Sequence, residues 1–231
     1  AKSRHTALTV KPAHNLDMDA HSESAFRAID VLCMSARSAK AAVLPGDQVP
    51  SKLNLVAVSH SSRALEAQQD FQRSIQRAVR AAGVASTCEL LLAAGVRLVD
   101  SGLAEIASAL AYGQCLQLLT TQGVVTSPTT ASLPMSAPMS YVPLFSKCML
   151  GLARCCLDMC SSSHDEQLSL RRALLAAKLA HQGTQCITSR GADATELFST
   201  VVYDGVELLL RACDTVHASS LPLMGGSADG P

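Results

Sequence analysis

Three residues with metal-binding side chains stand four positions apart: Cys156, Cys160 and His164. Thiolate and imidazole groups are zinc ligands, and a spacing of four places residues on one face of a helix. The serine run 161–163 interrupts such a helix, and the chain has no Cys-x-x-Cys pair to supply further ligands. We therefore expect buried thiols beside a surface histidine, with no metal and no other cofactor.

The other candidates for catalysis are equally isolated. Arg154 precedes the Cys155–Cys156 pair but points about 100° away from its neighbour on a helix, so the basic surroundings that lower a thiol pKa are missing. His60 lies on an apolar helix face, as core histidines do. A Gly-x-Ser-x-Gly elbow and a glycine-rich phosphate loop ahead of a helix are both absent. The sequence predicts no catalytic residue and no enzyme, with a Cys- or His-dependent helical enzyme as the alternative.

One basic strip is a candidate for partner binding. Three arginines spaced three and four apart form it: Arg73, Arg77 and Arg80. They point together on a helix and could receive an acidic partner or a phosphate group. The alternative is a solvated face that is balanced by Glu66 and Asp70.

A second candidate surface lies in the segment 106–146, which contains no charged residue. Its apolar part, 106–119, holds Ser and Gln residues and gives way to Gly123. A bilayer-spanning helix needs about 20 predominantly apolar residues. We expect a buried helix here, no transmembrane segment, and a partner-binding surface that includes Leu116 and Leu119.

The composition shows which elements must position these residues. Of the 231 residues, 48% are hydrophobic, 16% are charged and 3% are aromatic, and 19 basic residues balance 19 acidic ones. Such a chain is too apolar for disorder, and it lacks the basic excess and the aromatics typical of nucleic-acid binding. Abundant Ala and Leu favour helices. Nine irregularly spaced cysteines indicate buried, reduced thiols and an intracellular, reducing compartment, cytoplasmic or organellar.

Periodicity and capping residues predict an all-α fold of about six helices, either a multi-helix bundle or a curved array of helix pairs. The helices are expected over 22–44, 51–82, 86–120, 142–161, 164–189 and 194–218. Capping boxes at Ser86/Glu89 and Ser163/Glu166 start the third and fifth, and the third is expected to be central. The domain organisation is a flexible basic tail over 1–20, a single helical domain over 21–219 with a Ser/Thr/Pro loop at 122–141, and a flexible tail over 220–231.

Part of this pattern resembles a known helical module. The stretch 174–182 (LLAAKLAHQ) follows a short linker after the helix 149–159, and upstream lie the Ala/Leu-rich stretch 90–110 and the Ala/Gln-rich stretch 61–83. Over about 55–215 the chain resembles the Alix-type Bro domain of endosomal sorting adaptors. The resemblance implies a curved helical platform that binds a partner's amphipathic helix and performs no catalysis.

Together these features predict a non-enzymatic helical scaffold, an adaptor, or a subunit of a larger assembly. A charge-poor helical domain presents apolar surface to partner helices. We expect protein partners, no nucleic acid, and membrane association only through a partner. A Bro-like adaptor in membrane trafficking is the alternative within the same class.

Overall fold

A computed structural model describes residues 14–41, 62–125, 133–134, 136–161, 163, 165–189 and 196–220. Within these ranges the chain forms six helices and no strand, so the predicted all-α fold is confirmed. The helices are α1 (His14–Ala41), α2 (Ser62–Asp100), α3 (Ala104–Ile106, Ala107–Tyr112 and Gly113–Thr121), α4 (Val142–Ser161), α5 (Glu166–Thr188) and α6 (Glu196–Ser220). The middle segment of α3 is π-helical, and a 3₁₀ turn, Met139–Tyr141, leads into α4.

Helix α2 replaces two predicted helices. The expected gap between 82 and 86 is a kink at one residue, Gly83, whose φ of 81° and ψ of −179° are non-helical. Helical structure resumes at once, so the predicted capping box at Ser86 and Glu89 is wrong, because Ser86 lies inside the helix. Thr87 instead donates a hydrogen bond from Oγ1 to the Gly83 carbonyl oxygen at 2.7 Å.

Glycines in the left-handed conformation end α2 and α3. Gly102 has a φ of 76°, and its N–H bonds the Val99 carbonyl while the Leu103 N–H bonds the Leu98 carbonyl. This pair of bonds is a Schellman motif, which satisfies the last carbonyls of the helix. Gly123, with a φ of 68°, repeats the motif at the end of α3. The predicted third helix, 86–120, is therefore divided between α2 and α3.

The remaining boundaries lie close to the predicted ones, with two corrections. Helix α4 matches the predicted 142–161, but α5 begins after Asp165, whose side chain accepts the Leu168 N–H at 3.1 Å. The Ser163 capping box is therefore wrong. Helix α1 begins at His14, so part of the predicted flexible tail is helical. The predictions for 1–13, 51–61 and 221–231 lie outside the described residues.

The centre of the fold is α4 rather than the predicted third helix. Twelve of its 20 residues are buried, and it packs against α2, α3, α5 and α6. One core cluster joins α1, α2 and α3 to one side of α4, and a second joins the other side of α4 to α5 and α6. Leu133 and Met159 pack against both clusters, which therefore form a continuous interior.

The Ser/Thr/Pro segment contributes to that interior. Val124, Val125 and Ala137 are buried, and Leu133 is partly buried against the core. The described part of the predicted Ser/Thr/Pro loop at 122–141 therefore contributes buried side chains to the core, while 126–132 and 135 lie outside the described residues. A segment rich in Ser, Thr and Pro can therefore contribute to the core through the apolar side chains that it contains.

Candidate partner-binding groove

A groove of 940 Å³ runs between α2, α4 and α6. Its apolar lining comes from all three helices: Leu92, Val96, Leu144, Leu150, Val201 and Leu208. Its charged lining is also shared among them: Glu89, Lys147, Arg154, Asp204, Glu207 and Arg211. We call it the α2–α4–α6 groove. A lining that combines apolar and charged side chains in this way is typical of sites that bind peptides or helices.

The ring of Tyr112 fixes the inner end of this groove. Tyr112 ends the π-helical segment of α3 and is 3% exposed. Its ring lies between Gly95 of α2 and Gly151 of α4, since a Cβ at either glycine would collide with ring carbons. Burial raises the pKa of the phenol well above its usual range. The two glycines therefore let an aromatic ring set the distance between α2 and α4.

Two of the charged residues that line the groove form ion pairs. Arg154 pairs with Asp100 at 3.0 Å, and Arg211 pairs with Asp158 at 3.5 Å. Four other charged residues of the lining make no ion pair within the described residues: Glu89, Lys147, Asp204 and Glu207. Three of these four are acidic. The groove thus presents more negative than positive charge to a partner.

The predicted arginine strip lies elsewhere, beside α1. Arg73 and Arg77 line a second groove, of 580 Å³, between α1 and the first part of α2, whereas Arg80 is exposed outside it. Arg73 pairs with Asp70 at 3.0 Å. The same groove is lined by Glu23 and Glu66, so its charge is mixed rather than cationic. Binding of an acidic partner or a phosphate by these arginines stays a prediction.

The predicted surface at Leu116 and Leu119 is corrected in part. Leu119 has no exposed surface and belongs to the core. Leu116 is partly buried and packs against the same cluster. Helix α3 packs against α2 and α4, and its buried side chains face that contact. Leu119 is therefore no partner contact.

The cysteines are buried, as predicted. Seven of the nine are buried, Cys186 is half-buried and Cys213 is exposed, and all nine are free thiols. Three of them connect α2, α3 and α4. Cys88 of α2, Cys115 of α3 and Cys148 of α4 lie close together, and Cys148 donates from Sγ to the Tyr112 carbonyl oxygen at 3.2 Å. Hydrogen bonding and burial together raise the pKa of Cys88 and Cys115, which keeps both as thiols.

The cysteines considered for zinc or catalysis are also protonated. Burial raises the pKa of Cys155 to about 12 and that of Cys156 to about 11. Cys160 donates from Sγ to the Ser169 carbonyl oxygen at 3.2 Å, and burial raises its pKa too. A nucleophile or zinc ligand must be a thiolate, which these environments disfavour. His164 and His60 lie outside the described residues, and the described part holds no cluster of three or more metal-ligating side chains.

A further surface was missed by sequence reasoning. Helix α6 exposes three large apolar side chains: Tyr203 at 71%, Val206 at 47% and Leu210 at 62%. Spacing alone does not identify them, because α6 carries a second apolar stripe with the same three-four pattern. That stripe, which is buried, consists of Val201, Gly205, Leu208 and Ala212. The signal in the sequence that could have identified this surface is the presence of two apolar stripes on one helix.

One helix of the described chain, Ser62–Asp100, is long and apolar enough to cross a membrane by length and composition alone. Its most apolar 18 residues have a mean hydropathy of 1.5, and 44% of them are buried in the fold. Core helices meet the same criteria, so a single such helix is weak evidence. The expected absence of a transmembrane segment stays a prediction.

Comparisons of the chain with protein-family models, with curated protein sequences and with solved structures find no match. The resemblance to the Alix-type Bro domain rests on the sequence stretches given above and stays a prediction.

Proposed function

We propose that this protein is a non-enzymatic helical scaffold or assembly subunit that binds an amphipathic helix of a protein partner in the α2–α4–α6 groove. The observation that carries the proposal is the lining of that groove. Three helices supply its apolar side chains, and four of its charged residues make no ion pair within the described part of the chain. Such a surface recognises the apolar face of a helix and orients it by charge.

Exposed apolar surface in the 940 Å³ groove suits this occupant. Val96, 46% exposed, offers apolar surface within it. Two turns of a partner helix bound in the groove would place three or four apolar side chains on this surface.

Charge indicates which helix would bind. Asp204 and Glu207 line the α6 side of the groove, and Glu89 lines the α2 side, while Lys147 is the basic residue of the lining without an ion pair. A partner helix with basic residues beside its apolar face would complement the three carboxylates. Like charge at these positions weakens association, so an acidic helix should be rejected.

The cysteine environments support a non-enzymatic role. The buried thiols of α4 have raised pKa values, so the alternative of a Cys-dependent enzyme lacks an activated nucleophile among them. The adaptor alternative implied by the Bro-domain resemblance also stays a proposal. Within its most compact stretch, Ala176 and Ala180 are buried and Lys178 is exposed, a pattern that any amphipathic helix shares.

Site-specific cross-linking tests the proposal. A photo-reactive amino acid is placed at Val96 in the groove or at Leu65, which is 51% exposed on the first part of α2. In extracts of the source cells, the probe at Val96 is expected to capture a partner that the probe at Leu65 does not. Val96→Glu should abolish capture by a second probe at Ala93, whereas Leu65→Glu should leave it intact. Capture of the same proteins from both positions, or none from Val96, would contradict the proposal.

A further inference from the structure

The outward face of α6 carries an apolar seam that no part of the described chain covers. Four exposed residues form it, at spacings of three, four and three: Tyr203, Val206, Leu210 and Cys213. On a helix wheel the seam lies about 145° from the buried stripe of α6. It is therefore separate from the residues that pack α6 onto α5 and from those that line the α2–α4–α6 groove.

The spacing of the seam is that of a coiled coil. With Tyr203 and Leu210 at a positions, Val206 and Cys213 fall at d positions. In a coiled coil, side chains at the a and d positions pack into the spaces between side chains of a second helix. Because α6 is already folded on α5, pairing does not require its 25 residues to become ordered, and only the partner must lose conformational freedom.

Charge beside the seam decides between a second copy and a different helix. The two e positions are acidic, Glu207 and Asp214, and both are exposed without an ion pair within the described residues. In an antiparallel pair of two copies these carboxylates would face each other. In a parallel pair they would face Val202 and Leu209, which are partly buried on α6 and carry no charge. Neither arrangement pairs the carboxylates.

We propose that the seam Tyr203–Val206–Leu210–Cys213 docks an amphipathic helix of a different protein, one with apolar a and d residues flanked by Lys or Arg, as a two-stranded coiled coil. Basic flanks pair Glu207 and Asp214, whereas acidic flanks oppose them. An anionic lipid surface is disfavoured for the same reason. The four seam residues do not line the α2–α4–α6 groove, whereas Glu207 both flanks the seam and lines that groove.

Designed peptides test this directly with the full chain. Two labelled peptides of four heptads share Ile at a and Leu at d, and they carry either Lys or Glu at every e and g position. Fluorescence anisotropy is expected to show the Lys peptide binding at least about tenfold more tightly than the Glu peptide, with the difference shrinking as salt rises from about 50 to about 500 mM. The Glu207→Lys/Asp214→Lys variant should reverse the preference.

Matched variants separate the seam from the groove. Leu210→Glu should weaken binding of the Lys peptide at least about tenfold, whereas Val96→Glu in the groove and Leu174→Glu, on an exposed part of α5, should leave it unchanged. Equal binding of both peptides, no binding of either, or an unchanged affinity in Leu210→Glu would overturn the proposal. Sedimentation that shows a dimer of the chain dissociated by Leu210→Glu would overturn it in favour of a second copy.

Discussion

The two apolar stripes of α6 have the same periodicity and different side chains. The inward stripe, Val201–Gly205–Leu208–Ala212, contains two small residues and is buried against α4 and α5. The outward stripe contains three larger side chains, Tyr203, Val206 and Leu210, and these remain exposed. Close packing of helices depends on side-chain size at the contact, since small residues let the backbones approach. Hydrophobicity alone therefore does not decide which stripe joins the core.

The same contrast applies to the helix contacts around α4. Gly95 and Gly151 leave room for the Tyr112 ring between α2 and α4, and Gly205 leaves room for the Thr184 side chain between α6 and α5. A helix surface on which no side chain of a neighbouring helix packs in this way remains exposed and available to a partner. Four predictions test whether close packing distinguishes the residues that face the core from those that face outward.

The largest effect is expected for Gly151→Ala. Its Cβ would collide with the Tyr112 ring, which Gly95 holds from the other side, so we expect a loss of about 3 kcal/mol or more in the free energy of unfolding. Gly183→Ala is the control. Its Cβ would meet the Ser146 carbonyl oxygen at 3.1 Å and the Met149 Cβ at 3.2 Å, which are tight contacts without the overlap at Gly151, and the gain in helix propensity offsets part of them, so the loss should stay below about 1.5 kcal/mol. Urea denaturation measures both, and equal losses would contradict the role of the ring.

The second prediction compares truncations on the two faces of α6. Leu208 is 7% exposed and Leu210 is 62% exposed. Leu208→Ala should lower the free energy of unfolding by about 2–4 kcal/mol, because it leaves a cavity. Leu210→Ala should change it by less than about 0.5 kcal/mol. Thermal and urea unfolding of the two variants check this, and a similar cost at both positions would mean that the outward stripe is part of the core.

The third prediction concerns alkaline pH. The pKa values of Cys155 and Cys156 are raised from 9.0 to about 12 and about 11. Between pH 9 and those values the unfolded chain loses thiol protons that the folded chain keeps. Stability is thus full below pH 9 and falls above it, by up to about 1.4 kcal/mol per pH unit for each buried thiol.

Urea denaturation at pH 8, 9 and 10 measures this slope. Cys156→Ala should make it shallower by one thiol, whereas Cys213→Ala, on the exposed face of α6, should leave it unchanged. A slope that Cys213→Ala reduces as much as Cys156→Ala does would contradict the contrast between inward and outward thiols.

The smallest effect is expected for Ser146→Ala on the buried face of α4. The Ser146 hydroxyl oxygen is buried and has no hydrogen-bond partner in the described part of the chain. Removing an unsatisfied polar group should leave stability unchanged or raise it by up to about 1 kcal/mol. Calorimetric melting measures the change. A loss above about 1 kcal/mol would indicate that the hydroxyl has an energetic role that packing alone does not explain.

Much of the fold follows from local signals. The apolar periodicity and Ala/Leu content predict the six helices, and Gly102 and Gly123 stand where left-handed caps are needed. The bounds of α4 agree with the structure because a 20-residue apolar pattern is flanked by Pro143 and by a serine run. The capping boxes failed at Ser86 and Ser163, since a local motif competes with tertiary contacts for the exact start of a helix. Of the candidate contacts, Arg73 and Arg77 share a groove and Leu119 is buried.

The sequence by itself determined that the described part of the chain is all-α and that most of its thiols are buried, because helix periodicity and the placement of cysteines in apolar helical stretches act over a few residues. Only the tertiary structure decided that α4 is central, that Tyr112 separates α2 from α4, and which stripe of α6 faces outward. Those outcomes depend on the volume left between helices that lie far apart in the chain. The three-four spacing is identical for both stripes, so only the neighbours of α6 could distinguish them.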